Sequence, residues 1–330
     1  MENLLPFERI NREILIKKEV NTNPNYGCNP EQRPTKSLIE YGIININKPS
    51  GPTSHQVTDY VKKILEIPKA GHSGTLDPAV TGCLPTALDK ATKVVEVLLS
   101  SGKEYVGIIH LHKKVEEKAL NETMDKFRGV ITQLPPLRSA IKRQLREREV
   151  YYLEVLEVKN QDVLFRVVCQ AGFYVRKLAH DLGIELGTGA HLSQLIRTKV
   201  GYFKDTNWHS LHDLKDAYES YKKGDDKELR KVILPFEYAV YHLPKIWILD
   251  TAVDPICHGS KLAAPGISKL HSEIKKKDRV AIMSLKDELI AIGDAEMSSE
   301  EMMSQHKNVS VLIDKTFMNP GTYPIYKKGN

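Results

Sequence analysis

The chain has 330 residues, 41% of them hydrophobic, and carries 48 Lys and Arg against 42 Asp and Glu for a net charge of +6. That length holds one large domain and a smaller one around real cores, and the modest basic excess favours nucleic acid or another anionic surface as a partner. No apolar run approaches the ~20 residues of a membrane-spanning helix and Met1-Glu2-Asn3 opens no apolar signal core, so a cytoplasmic protein is expected.

The first forty residues read as a polar, loop-like extension, with Asn21, Asn23, Pro24 and Asn25 close together. A strand is predicted from Tyr41 through Ile43, Ile44 and Ile46. A helix follows, because Val57, Tyr60, Val61, Ile64 and Leu65 fall on one stripe. Thr53 or Ser54 is placed to cap it. Next comes a turn dense in glycine, Gly71-His72-Ser73-Gly74-Thr75-Leu76-Asp77-Pro78-Ala79-Val80-Thr81-Gly82. Glycine lets such a turn bring backbone close to a ligand, but no lysine follows in the phosphate-loop pattern. Asp77 is then either a turn residue bonding its own backbone or a presented carboxylate suited to act as a nucleophile.

Ala91, Val94, Val95 and Leu98 predict another helix, and Lys103 to Leu111 a strand. Arg138, Lys142, Arg143, Arg146 and Arg148 crowd one segment opposed only by Glu147 and Glu149. They suit either a solvated helix face or a grip on phosphates. Segments 150–158 and 162–170 predict a strand pair turning at Asn160-Gln161. Val175, Leu178, Ala179 and Leu182 make a helical stripe ended by Gly183 or Gly187. Arg176 lies one residue off that stripe, where many arginines simply face water. Residues 212–231 are highly charged and read as an exposed helical connector. Short strands follow from about residue 245, including a hairpin of 279–283 and 288–292 and a strand through Val309, Val311 and Ile313. Cys28, Cys83, Cys169 and Cys257 form no CxxC pair, so neither a zinc site nor a disulfide is expected. The other histidines, His180 and His191 among them, show no metal-ligand spacing. Strands mixed irregularly with helices indicate an α+β protein with a central, largely antiparallel sheet flanked by helices.

Five motifs in register resemble the TruB family of pseudouridine synthases: Gly42-Ile43-Ile44-Asn45-Ile46-Asn47-Lys48-Pro49-Ser50-Gly51-Pro52-Thr53-Ser54-His55, the Asp77 turn, Lys103-Glu104-Tyr105-Val106, Pro135-Pro136-Leu137-Arg138-Ser139-Ala140-Ile141-Lys142-Arg143, and Ala171-Gly172-Phe173-Tyr174-Val175-Arg176-Lys177-Leu178. The resemblance implies a pseudouridine synthase catalytic domain over 41–240. It implies that Asp77 attacks the target nucleotide, as nucleophile or as base at the ribose, with Arg176 as the cation beside it. Tyr105 would stack on the flipped uridine, Tyr174 and Leu195 would line its pocket, and His72 would help to position it. The segment holding Arg138, Lys142, Arg143, Arg146 and Arg148 would grip substrate RNA. No metal or redox cofactor is implied. At Leu195 this chain reads Leu-Ile-Arg where relatives usually carry Leu-Arg-Arg.

The tail resembles a PUA domain, a small RNA-binding β-barrel, through Ala264-Pro265-Gly266-Ile267, Ile292-Gly293-Asp294-Ala295 and Gly321-Thr322-Tyr323-Pro324. It implies a PUA domain over 245–330, with the extension 1–40 packed on it. That domain, the extension and Gly107-Ile108-Ile109-His110-Leu111-His112 after the Tyr105 motif are similar to the archaeal, dyskerin-like branch of the family. The branch is the catalytic subunit of a box H/ACA ribonucleoprotein, so the implied partners are a guide RNA, substrate ribosomal RNA or tRNA, a small zinc-ribbon-type protein, a glycine/arginine-associated β-barrel protein and a kink-turn-binding ribosomal-type protein. A stand-alone tRNA T-loop enzyme and an inactive RNA-binding scaffold are the alternatives.

Overall fold

The computed structural model describes residues 4–135 and 144–325. The chain forms two compact units, one made of residues up to Arg9 with Ile43–Ile233, the other of Ile10–Gly42 with Leu234 onward.

The first unit is built on a sheet whose strands run, neighbour by neighbour, Gly42–Lys48, Thr81–Leu88, Ala190–Val200, Lys103–Leu111, Asp162–Cys169, Arg146–Lys159 and Gly129–Gln133. Within that path Thr81–Leu88 and Ala190–Val200 pair in parallel and the other neighbours are antiparallel. Val163, Phe165, Val167 and Cys169 alternate along one strand and are fully buried, as period-two patterning requires. Leu178, Ala179 and Leu182, on the helix Val175–Glu185, complete that core. Gly183 lets the helix sit hard against the next strand, since a Cβ there would lie 2.2 Å from the Ala190 nitrogen. The helix therefore runs through Gly183, and Gly187, at φ +68°, follows its end.

Helix Ser54–Ile64 has the expected start: Thr53 accepts a hydrogen bond from the Gln56 amide and Gln56 accepts one from the Thr53 amide, closing a capping box. Three expectations need correction. The supposed connector 212–231 consists of two amphipathic helices, Leu211–Lys222 and Lys227–Val232, which bury Leu214, Ala217, Tyr218, Leu229 and Val232. Their charges occupy only the outer face, and a charge count alone hides the apolar stripe. The Ala91–Leu98 stripe forms a 3₁₀ turn, Asp89–Val94, before one short helix, Val95–Leu99. Tyr41 ends a helix, Thr35–Tyr41, entered through Pro34, and the strand begins only at Gly42.

The second unit has a sheet in the order Ile14–Ile16, Ile267–His271, Lys245–Ile248, Arg279–Met283, Leu289–Ala295, Val309–Thr316 and Leu262–Ala263. Its core includes Ile246, Ile282, Ile290, Val311 and Tyr323. The predicted hairpin turns through Asp287, at φ 67°. Residues 10–42 are part of this unit's construction. Ile14–Ile16 pairs with Ile267–His271 at the sheet edge, and Arg33 meets Glu237 at 2.6 Å with both side chains nearly buried. Glu288 accepts hydrogen bonds from the Cys28 amide (3.1 Å) and the Tyr323 hydroxyl (2.7 Å).

All four cysteines are free thiols. Burial pushes Cys83, Cys169 and Cys257 up to about 12, which keeps them protonated and unreactive.

Candidate active site

The Asp77 loop joins two antiparallel strands, Ala70–His72 and Thr81–Leu88. It is held from outside as well as by those ladders. The Ser54 hydroxyl donates to the Leu76 carbonyl (3.1 Å) and accepts from the Leu76 amide (2.8 Å). The fully buried Lys48 ammonium donates to the carbonyls of Pro49 (2.8 Å), Pro78 (3.0 Å) and Val80 (2.9 Å). The Gly51 amide also donates to Pro78 (2.9 Å). Residues on both sides of Asp77 are thus pinned, while its carboxylate projects half exposed.

That carboxylate pairs with the Arg176 guanidinium at 3.2 Å. Arg176 stands in the first turn of helix Val175–Glu185, whose N-cap residue, Tyr174, makes no side-chain cap. Gln133 anchors that residue from another element. Its buried amide accepts from the Tyr174 amide (2.9 Å) and donates to the Tyr174 carbonyl (3.1 Å). Helix start and Asp77 loop are therefore each held by hydrogen bonds of their own, and the ion pair forms between these two supports.

The pair opens into a cleft of about 590 Å³, within the ~300–1,000 Å³ usual for small-ligand sites. Asp77, Tyr105, Tyr174, Arg176 and Leu195 all line it. Tyr105 and Leu195 come from neighbouring strands and are brought together at Gly107, where a Cβ would lie 2.9 Å from Leu195 Cδ1 and 2.7 Å from the Gln194 carbonyl. His72 lies outside this lining. Its Nδ1 accepts from the Gly74 amide (3.3 Å), its ring stands edge-on to His55, and burial lowers its pKa to about 4, so it is neutral near pH 7.

Arg146 and Arg148 lie on the strand Arg146–Lys159, not on a helix face. Arg148 packs beside Gly172 at the cleft wall. Arg138, Lys142 and Arg143 fall outside the described residues.

Three groups important to the geometry carry no sequence expectation: Gln133, Lys103 and Arg197. Lys103 donates to the carbonyls of Leu98 (3.0 Å), Leu99 (2.8 Å) and Ser101 (2.6 Å). Burial, with Arg197 nearby, lowers its pKa to about 7. Arg197 is 1% exposed. For both cations the only signal was their place inside or beside a quoted motif, because their partners are mainly main-chain carbonyls. His110, His112 and His191 also come together on adjacent strands, yet among the described residues no group of His, Cys, Asp or Glu is arranged to hold a metal ion.

A half-exposed carboxylate beside a guanidinium, facing an aromatic ring in a cleft, suits attack on a sugar whose base is held by stacking. The profile of the TruB family pseudouridylate synthase N-terminal domain matches residues 62–175, and that of the tRNA pseudouridylate synthase B C-terminal domain matches 176–241. The PUA domain profile covers 244–317 and the DKCLD domain profile 4–58. A protein of Pyrococcus furiosus named probable tRNA pseudouridine synthase B is 53% identical over 98% of this chain and 96% of its own length. The chain belongs to the TruB family of pseudouridine synthases.

A second relative of the same name, from Methanopyrus kandleri, is 52% identical over 97% of this chain and 95% of its own. Among solved structures of the family, the crystal structure of a Cbf5-Nop10-Gar1 complex contains a chain 53% identical, with a TM-score of 0.94 over 98% of this chain and 99% of that one. The structure of an H/ACA ribonucleoprotein bound to a substrate RNA containing 2'-deoxyuridine has a TM-score of 0.91 at 51% identity, covering 98% and 99% of the two chains. This TruB enzyme is thus an α+β pseudouridine synthase with a PUA domain.

Proposed function

We propose that the protein isomerises uridine to pseudouridine at sites chosen by a guide RNA, within a box H/ACA ribonucleoprotein, chiefly in ribosomal RNA. The chemistry breaks the bond from ribose C1′ to uracil N1 and makes one from C1′ to C5. N1 gains a proton and C5 gives one up, so no redox step or metal is needed. The uridine must first leave its helix. Tyr105 then stacks on the base, Tyr174 and Leu195 enclose it, and Asp77 acts at the sugar as nucleophile or base. Either role needs an ionised carboxylate.

The observation that carries this reading is the 3.2 Å Asp77–Arg176 pair inside a cleft lined by Tyr105. Guide dependence draws its support from full-length likeness to chains solved in H/ACA assemblies. In this reading 41–240 is the catalytic domain, 245–330 the PUA domain that holds guide RNA, and 1–40 an extension of which only the part from Ile10 onward packs on it, residues up to Arg9 falling in the other unit. The accessory partners are proteins like Nop10 and Gar1 and a kink-turn-binding ribosomal-type protein, and the setting is the cytoplasm. Arg138, Lys142, Arg143, Arg146 and Arg148 meet substrate phosphates, with His72 supporting the loop.

The names of the archaeal relatives favour a second reading, tRNA modification without a guide. The deciding assay incubates the purified protein and accessory proteins with substrate RNA, with and without guide. Pseudouridine that forms only with matching guide supports the first reading. Conversion of a tRNA T-loop indifferent to guide supports the second, and no pseudouridine on any RNA leaves a scaffold.

A further inference from the structure

Arg197 is a guanidinium buried to 1% exposure on the strand Ala190–Val200. Its Nε donates to the Cys83 carbonyl (2.8 Å), one Nη donates to the Gly74 carbonyl (3.1 Å), and the Tyr105 hydroxyl makes a further hydrogen-bonding contact with it. These partners are two carbonyls and a phenol, not a carboxylate. A buried guanidinium cannot shed its proton, and taking it out of water is costly even with hydrogen bonds. Lys103, also buried and bonded only to carbonyls, lies close enough to feel its charge. Apolar side chains of equal volume would fill this floor at lower cost. A fold that places two cations here without carboxylate partners is serving the site above it.

The three contacts explain what is served. Gly74 lies three residues before Asp77 in the catalytic loop. Cys83 is on the strand that leaves the loop. Tyr105 is the stacking ring on the next strand. Backbone approach at this point is enforced as well: Gly82 sits at φ +105°, and a Cβ there would lie 2.2 Å from the Arg197 carbonyl. We infer that Arg197 is a positioning residue which locks the Asp77 loop and the Tyr105 ring into one frame, so that the carboxylate and the stacked base hold a fixed mutual geometry. It touches the supports of both groups and forms part of the cleft floor at 1% exposure, with its hydrogen bonds spent on those supports, so it acts through them rather than on the uridine. Lysine cannot replace it, because a single ammonium lacks the planar fork that reaches three separated acceptors.

The inference rests on the proposed isomerisation for its activity readout and has a second readout that does not. R197K, Y105F and the double variant are compared in the assembled complex with guide and substrate RNA. R197K is expected to slow single-turnover conversion by about 10²-fold, the scale of an ~1 Å misplacement, with RNA affinity unchanged. The double variant should be no slower than the slower single variant, because both remove the same link. A wild-type rate for R197K, or losses that multiply in the double variant, overturns the inference. Independently of any conversion, hydrogen exchange at residues 73–77 should quicken about tenfold in R197K, while residues 289–295 of the second unit keep their protection. Unchanged exchange in the loop overturns the clamp even if the RNA chemistry were of another kind. Absence of conversion by the wild type, with quickened loop exchange in R197K, would refute the enzymatic reading and leave the clamp standing.

Discussion

Asparagine at position 77 keeps the shape of the carboxylate and removes its charge. Asp77→Asn is expected to cut conversion by about 10³-fold or more while guide-RNA affinity stays near wild type, as measured by single-turnover assay and filter binding. Loss of both together would make Asp77 a structural residue. Arg176→Lys keeps the charge but not the fork. Both side chains are about half exposed, so salt screens the pair and stability should hardly change. The readout is rate, expected to fall about tenfold, the equivalent of ~1.4 kcal/mol in the barrier. His72 adds a pH prediction. The unfolded chain takes up its proton near pH 6.5, but the folded protein refuses it until about pH 4. Its contribution to stability is therefore complete above 6.5 and is lost as pH falls toward 4. Urea midpoints for His72→Gln should fall less steeply across that window than those of the wild type; parallel curves would refute the assignment. That Asp77, Tyr105, Tyr174 and Arg176 share one cleft was legible because each lies inside a quoted motif, and Leu195 joins them through the Leu-Ile-Arg run. Arg197 and Gln133 were not legible, because hydrogen bonds to main-chain groups distant in sequence leave no residue-type signature, and Lys103 was not, because a lysine that folds back on the carbonyls of Leu98, Leu99 and Ser101 reads like any other lysine.

The start of the Arg176 helix depends on a side chain from another element. Gln133, on the strand Gly129–Gln133, supplies both bonds to Tyr174. Gln133→Leu removes these two bonds, though the Tyr174 carbonyl still accepts from the Lys177 and Leu178 amides, at a cost of about 1–3 kcal/mol in denaturant melts. It should also slow conversion by letting the first helical turn, with Arg176, drift. A melt within experimental error of wild type would remove Gln133 from this role. Gly82→Ala tests the strand junction. The residue is at φ +105° and a Cβ would strike the Arg197 backbone, so destabilisation of about 3 kcal/mol is expected, read as a lower urea midpoint. The same locality explains which elements could be read in advance. Val57 and Val61 repeat at helical spacing within the helix Ser54–Ile64, and Val163, Phe165 and Val167 alternate, so local pattern and tertiary burial agree. Thr35–Tyr41 is too short to show periodicity, and Pro34 before it imitates loop composition. In Leu211–Lys222 the acidic and basic residues outnumber the stripe of Leu214, Ala217 and Tyr218 that holds the helix in place.

Across the whole molecule, charge and chain path bear on how RNA is held. A basic protein that neutralises phosphates releases counterions, so guide-RNA affinity should fall as salt rises. Substrate-RNA affinity should fall in the same way, and Arg148→Ala should make that second dependence shallower without altering guide affinity. The path of the chain constrains the larger experiment of removing residues 245–330. Residues 10–42 belong to the same compact unit. Ile14–Ile16 would lose its partner strand, Thr22 and Asn23 would lose the Asp250 carboxylate, and Lys17 would lose the Met303 carbonyl. The truncated protein should therefore expose its early segment to trypsin at Lys17 and Lys18, whereas the intact chain resists cleavage there. Helices such as Ser54–Ile64 belong to the other unit and should keep their melting behaviour. Guide affinity should drop far more than the stability of that remaining unit. Equal guide affinity in the truncated protein would exclude the second unit from guide binding, and continued resistance at Lys17 would mean that residues 10–42 are held by something other than the strands they pair with here.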